Sequence, residues 1–196
     1  MSPATMPLFE AERPSGFFYQ PAFMTTADEA ALLAAIGHLT FADFAMRGVV
    51  ARRRVAFFGE AYDRGIALPI PDFLMPLRTA LGAWAQVDPA AFAMALINEY
   101  RPGTPIGWHR DAPQYDIVAG VSLLAPARMR FRPYVSPRDS ASPAVRRAAT
   151  HELVLDPRSA YLMTGSARSD YEHHVPPVTA LRYSVTFRTL CSVAHR

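Results

Sequence analysis

The chain has 196 residues, 51% of them hydrophobic, and 20 basic against 17 acidic side chains give a net charge of +3. That is enough to bury one core, and a single cysteine, Cys191, excludes an internal disulfide and a thiolate metal cluster. No run reaches the ~18 apolar residues of a membrane span and no secretory signal opens the chain, so a cytoplasmic protein without membrane association is expected.

Residues 1–15 contain Pro and Ala without periodicity and are expected to form a loosely ordered tail, leaving 16–196 as a single domain. Thr25 or Thr26 caps a helix over 25–39, with Asp28 and Glu29 in its first turn and Leu32, Leu33 and Ile36 as its apolar stripe. A second helix is expected over 71–86, opened by Pro71 and Asp72, with Phe73, Leu74, Leu77 and Leu81 facing inward. Pro76 should restrict or kink its early part. Beyond residue 90, short apolar runs broken by Pro and Gly occupy 92–100, 117–124, 128–134, 152–155, 159–164 and 181–190. Strands at that spacing without intervening helices form an antiparallel sandwich or barrel. Residues 136–149, rich in Pro, Ser, Arg and Ala, read as an exposed loop. The expected fold is mainly β with flanking helices (α+β): two helices packed on a jelly-roll-like body.

Three segments carry chemistry. In the first, Asn98 and Tyr100 lie two apart at the end of a strand, a Pro/Gly turn follows, and then come His109 and Asp111. Residues two apart on an extended backbone share a face, so the imidazole and the carboxylate can take adjacent positions on one metal. In the second, His173 and His174 point to opposite faces of a strand, so one of them looks inward. Two histidines and a carboxylate suit non-haem iron, and a zinc hydrolase can use the same ligands. In the third, Arg182, Ser184, Thr186 and Arg188 alternate with Tyr183, Val185 and Phe187. That polar face either meets solvent on an edge strand or turns inward, where two arginines are costly unless each meets an anion. A small dicarboxylate offers one at each end.

Asn-x-Tyr, His-x-Asp, Tyr-x-His-x-Val-Pro and Arg-Tyr-Ser-Val-Thr-Phe-Arg, in this order, resemble the AlkB family of Fe(II)- and 2-oxoglutarate-dependent dioxygenases. The resemblance implies a double-stranded β-helix (jelly-roll) core over 91–190 with the helices on one side. It implies Fe(II), O2 and 2-oxoglutarate as cofactors, with iron held by His109, Asp111 and His173. Asn98, Tyr100, Arg182, Ser184 and Arg188 would bind 2-oxoglutarate, with Arg182 and Tyr100 at its distal carboxylate and Arg188 near the carboxylate on the metal. His173 is preferred to His174 because it matches the family's histidine.

The same resemblance implies a substrate-gripping lid within 16–90, at Val49–Gly59, where Arg52, Arg53, Arg54 and Phe57 would hold alkylated DNA or RNA. The chain has no lysine, and guanidinium groups suit phosphates while an aromatic ring stacks on a flipped base. The plainer reading is a solvated basic strand with Phe57 and Phe58 in the core. One departure stands out: the acidic base reader that follows His-x-Asp in nucleic-acid members is replaced by Ala112 and Pro113, with Asp116 further along. The implied activity is oxidative demethylation of nucleic-acid bases by a monomeric enzyme, releasing formaldehyde. The rivals are hydroxylation of a protein side chain or small molecule, and a metal-free binding module.

Overall fold

The structure is a computed structural model that describes residues 13–46, 49–60, 68–136 and 150–191. Among these residues eleven strands run in the order β1 (Phe17–Gln20), β2 (Ala42–Met46), β3 (Val49–Gly59), β4 (Phe92–Tyr100), β5 (Ile106–His109), β6 (Tyr115–Leu123), β7 (Ala127–Pro133), β8 (His151–Leu155), β9 (Ala160–Met163), β10 (Tyr171–Val175) and β11 (Arg182–Leu190). The α-helices among the described residues are α1 (Thr26–Ile36) and α2 (Met75–Ala85), with a short α3 (Gly165–Ser169) before β10. A seven-stranded sheet in the order β1-β9-β6-β11-β4-β3-β2 faces a four-stranded sheet, β5-β10-β7-β8. All pairings among the described residues are antiparallel. This is the expected β-rich sandwich with helices on one side.

Local chemistry explains the helices. Thr25 caps α1 through a capping box: its hydroxyl accepts from the Asp28 N–H, and the Asp28 carboxylate accepts from the Thr25 N–H. The single helix expected over 71–86 is divided into a 3-10 turn, Asp72–Leu74, and α2. Pro76 lies in the first turn of α2, where a missing N–H leaves no broken bond, and the division from the 3-10 turn falls just ahead of it. Leu32 and Ile36 of α1, with Leu74, Leu77 and Leu81, pack on Ala95, Ile97, Val185 and Phe187 of the large sheet. A second core of Phe17, Val118, Tyr161 and Met163 meets Met129, Phe131 and Leu155 between the sheets. Buried Glu29 ties α1 to the sandwich, accepting from the Leu124 N–H and from Arg158.

The runs expected as strands from 92 to 190 are strands, within a residue or two at their ends. The expected tail at 1–15 and the loop at 136–149 lie outside the described residues except for 13–15 and Ser136. Gly59, at the end of β3, has a φ of +80°, and a Cβ there would stand 2.2 Å from the Ala93 carbonyl oxygen. Only glycine fits that crossing.

Candidate metal centre

Antiparallel register assembles the site. On β11 and β4, Arg182 pairs with Tyr100, Ser184 with Asn98, Thr186 with Leu96 and Arg188 with Met94, so these side chains share the face that looks between the sheets. Tyr183, Val185 and Phe187 face the helices. On the small sheet, β10 pairs with β5 so that His173 lies directly opposite His109. Asp111 follows β5 by two residues and turns in beside them.

The candidate ligand atoms of His109, Asp111 and His173 all lie within 4.8 Å of one another. A carbonyl can only accept, so the 2.9 Å contact of His109 Nδ1 with the Gly107 carbonyl fixes the proton on Nδ1. Nε2 then presents a lone pair, 4.0 Å from Asp111 Oδ1. Burial depresses the His109 pKa, and the same cause, with His109 as neighbour, pushes His173 down to about 3. Both rings are therefore neutral donors at neutral pH. Burial alone would raise Asp111, but the Arg188 guanidinium, 3.2 Å from its Oδ1, with the nearby histidines, drives it well below the usual carboxylate range. Its other oxygen, Oδ2, is buried without a hydrogen-bond partner among the described residues. Two neutral imidazoles and an ionised carboxylate whose second oxygen is buried without a partner among the described residues suit a divalent cation, and Fe(II) in particular. His174 points the other way, stacked on Trp108 at 5.0 Å.

The arginine face is equally informative. Arg182 is 1% exposed; its Nε donates to Ser122 Oγ at 3.0 Å, its guanidinium lies over the Tyr100 ring, and Nη1 is buried with no partner among the described residues. A buried guanidinium without a carboxylate is costly, and a ligand carboxylate would complete it. Asn98 donates to Ser184 Oγ and accepts from Arg53 Nε. Arg188 donates to Asp111 and, through Nη1, to Thr186 Oγ1. Every residue expected to bind metal or 2-oxoglutarate is thus brought to one cleft.

The basic triplet divides. Arg53 joins the site through Asn98, and Phe57 packs nearby with Val55, Met94, Leu96, Tyr115 and Ala112. Arg54 turns to the opposite face and makes a two-point contact with buried Glu99, which also accepts from Arg101 and the Tyr183 hydroxyl. Arg52 is exposed beside a register irregularity in the β2–β3 ladder.

Sequence reading missed three contributors. Buried Arg168 of α3 donates to the Ala112 and Tyr115 carbonyls and so holds the turn that follows Asp111. Ser122 orients Arg182, and the buried Tyr161 ring reaches inward over Gly120, where a Cβ would stand 2.8 Å from its hydroxyl. A charged residue within Thr-Gly-Ser-Ala-Arg was the available signal for the first; nothing local marks the others.

Residues 56–188, which contain the whole constellation, match the 2OG-Fe(II) oxygenase superfamily. The chain belongs to that superfamily. Members use Fe(II), 2-oxoglutarate and O2, and the donor set and orphan guanidinium of this oxygenase fit the first two. It is 27% identical over 181 residues to an Arabidopsis thaliana protein named alkylated DNA repair protein ALKBH8 homolog, covering 82% of the oxygenase and 51% of that protein. The chain thus spans about half the length of this relative. In fold it is similar to OsALKBH1, with a TM-score of 0.66 at 14% identity, covering 92% of this chain and 99% of that one. A Pseudomonas putida prolyl-4-hydroxylase aligns with a TM-score of 0.57, also at 14% identity, over 90% of this chain and 94% of that one. These likenesses agree with the AlkB character of the motifs. No helix among the described residues is long and apolar enough to cross a membrane.

Proposed function

We propose that residues 16–196 form one Fe(II)/2-oxoglutarate-dependent dioxygenase domain that oxidatively demethylates alkylated bases in DNA or RNA. The observation that carries the oxygenase reading is the pairing of a converged His109–Asp111–His173 set with the buried, unpartnered Nη1 of Arg182. Fe(II) with 2-oxoglutarate and O2 supplies the oxidation of a C–H bond, with the cosubstrate converted to succinate and CO2. An N-methyl group hydroxylated in this way breaks down to formaldehyde and a free N–H.

The chain's own residues bind and orient. His109, Asp111 and His173 hold the metal. Arg182 and Tyr100 take the distal carboxylate of 2-oxoglutarate, while Asn98, Ser184 and Arg188 line the remainder of its site. Arg188 also keeps Asp111 ionised. Packing of Met129, Phe131 and Tyr161 behind this cleft excludes water, which strengthens each charged contact.

The nucleic-acid substrate is supported by the relative's name and by Arg53 and Phe57 on the site face, a guanidinium for phosphate and a ring for a base. Cytoplasmic, monomeric action fits a chain with one cysteine that builds the whole site by itself. The experiment is formaldehyde and succinate release across methylated oligonucleotides, with methylated peptides and small amines in parallel. Release from oligonucleotides alone is expected; turnover of the peptides or amines alone would transfer the enzyme to the protein or small-molecule class.

A further inference from the structure

Strand β9 brings to the cleft a polar group that no motif marks. Its residues alternate: Ala160 and Leu162 face the helices, while Tyr161 and Met163 lie between the sheets. The Tyr161 ring stacks on Phe17, with centroids 6.4 Å apart, and runs across the neighbouring strand β6. It has room to do so because its register partner there is Gly120, in the interior of the large sheet. A Cβ on Gly120 would stand 2.8 Å from the Tyr161 hydroxyl and 2.8 Å from Thr186 Cγ2, so the phenol takes the space of a side chain that β6 gives up. The hydroxyl is thereby set beside Thr186, which lies between Ser184 and Arg188 in the row of site residues on β11.

Apolar packing fixes the ring and leaves the hydroxyl as its polar end. Tyr161 is 6% exposed, and its hydroxyl has no hydrogen-bond partner among the described residues. Burial above all pushes its pKa up, Tyr100 adds to that and Arg182 opposes it, so the group keeps its proton and stands as a donor. At the metal end of the cleft, Arg188 is already engaged by Asp111 and Thr186. At the other end, Arg182 Nη1 is buried without a partner among the described residues. A ligand carboxylate placed there offers about four lone-pair positions, more than Arg182 Nη1 and Tyr100 fill.

We propose that the Tyr161 hydroxyl donates a hydrogen bond to the distal carboxylate of 2-oxoglutarate, as a cosubstrate-binding residue alongside Arg182 and Tyr100. This assignment rests on the 2-oxoglutarate reading of the cleft. It gives Gly120 a role as well: glycine there is the gap through which β9, a strand outside the β4–β11 pair, reaches the cosubstrate. Tyr161 grips only the far end of the molecule, so it contributes nothing to a 2-oxo acid that lacks the second carboxylate.

Tyr161→Phe removes the hydroxyl and keeps the ring. Fe(II)-loaded wild type and variant are titrated without oxygen with 2-oxoglutarate and with 2-oxopentanoate, which ends in a methyl group. Binding is read from the visible absorption that a 2-oxo acid gives on Fe(II). The Kd for 2-oxoglutarate should rise at least about tenfold in the variant, while that for 2-oxopentanoate changes by less than about twofold. An unchanged Kd for 2-oxoglutarate overturns the proposal, and so does an equal rise for both acids, which would give Tyr161 a purely structural role. Wild type that binds neither acid would remove the cosubstrate reading itself, and the proposal with it. Urea unfolding of the metal-free proteins is the second readout. The midpoint of Tyr161→Phe should be unchanged or higher, because the lost hydroxyl bonded to no part of the fold. A lower midpoint assigns the hydroxyl to the fold and overturns the proposal.

Discussion

His109 and His173 are register partners across the β5–β10 ladder, and their ring centroids lie 4.2 Å apart. The distance is set by backbone pairing rather than by side-chain flexibility, so the two nitrogens are held close whether or not a cation lies between them. Their neighbour His174 differs by one position and faces away.

The ligand assignment follows directly. His109→Ala, Asp111→Ala and His173→Ala should each abolish metal binding and turnover, while His174→Ala, which removes only a stacking contact on Trp108, should retain both. Titration with Fe(II) under anaerobic conditions reads this out. Loss in the His174 variant with retention in the His173 variant would reverse the assignment.

Arg182→Ala should raise the apparent KM for 2-oxoglutarate at least tenfold, because truncating a buried charged partner costs roughly 2–5 kcal/mol. Ser122→Ala should give a smaller increase, since it frees Arg182 Nε without removing the charge. Steady-state kinetics at saturating iron separate the two. An unchanged KM in the arginine variant would remove 2-oxoglutarate from this pocket.

Arg53 and Arg54 should fail differently. Arg53→Ala should weaken oligonucleotide binding and flatten its salt dependence by about one unit of slope per lost phosphate contact, with little change in the urea midpoint. Arg54→Ala should leave the salt slope alone and lower stability by about 1–2 kcal/mol, discounted for its partial exposure, because buried Glu99 loses its two-point partner. Matching effects in the two variants would mean that the faces of β3 are not distinct.

The metal-free protein should lose stability in acid through its histidines. The folded-state pKa of His109 is lowered and that of His173 is near 3, against 6.5 for a free histidine. The unfolded chain therefore takes up protons first. Stability is full above about pH 6.5 and falls as pH drops toward 3, by up to about 1.4 kcal/mol per pH unit for each proton. Urea midpoints from pH 7.5 to 4.5 check it, and His173→Gln should flatten the curve. A flat wild-type profile would show that the rings are not buried neutral.

Much of this was legible because period-two alternation survives in the sequence. Arg182, Ser184, Thr186 and Arg188 read as one face, and that face is inward because Val185 and Phe187 meet the helices on the other. His109 and Asp111 were marked by their spacing. What the sequence hid depends on partners far away in the chain. Arg168 acts through carbonyls at 112 and 115, and Ser122 through Arg182, contacts with no local periodicity. The opposite directions of Arg53 and Arg54 followed from alternation, but which one faces the site required the pairing of Arg54 with Glu99. β1 and β2, short edge strands, carry no pattern long enough to read.

The Arg53–Arg54 pair leaves β3 an ambiguity that charge cannot resolve. Were β3 to slide one residue along β4, Arg53 would meet Glu99 and Arg52 would take the place of Arg53, so each role would still be filled by an arginine. Gly59 removes the degeneracy. The same slide would put Phe58 at the positive-φ crossing, with its Cβ driven into the Ala93 carbonyl. A residue with no side chain, well along the strand from the arginines, thus acts as the end-stop that decides which guanidinium the site receives.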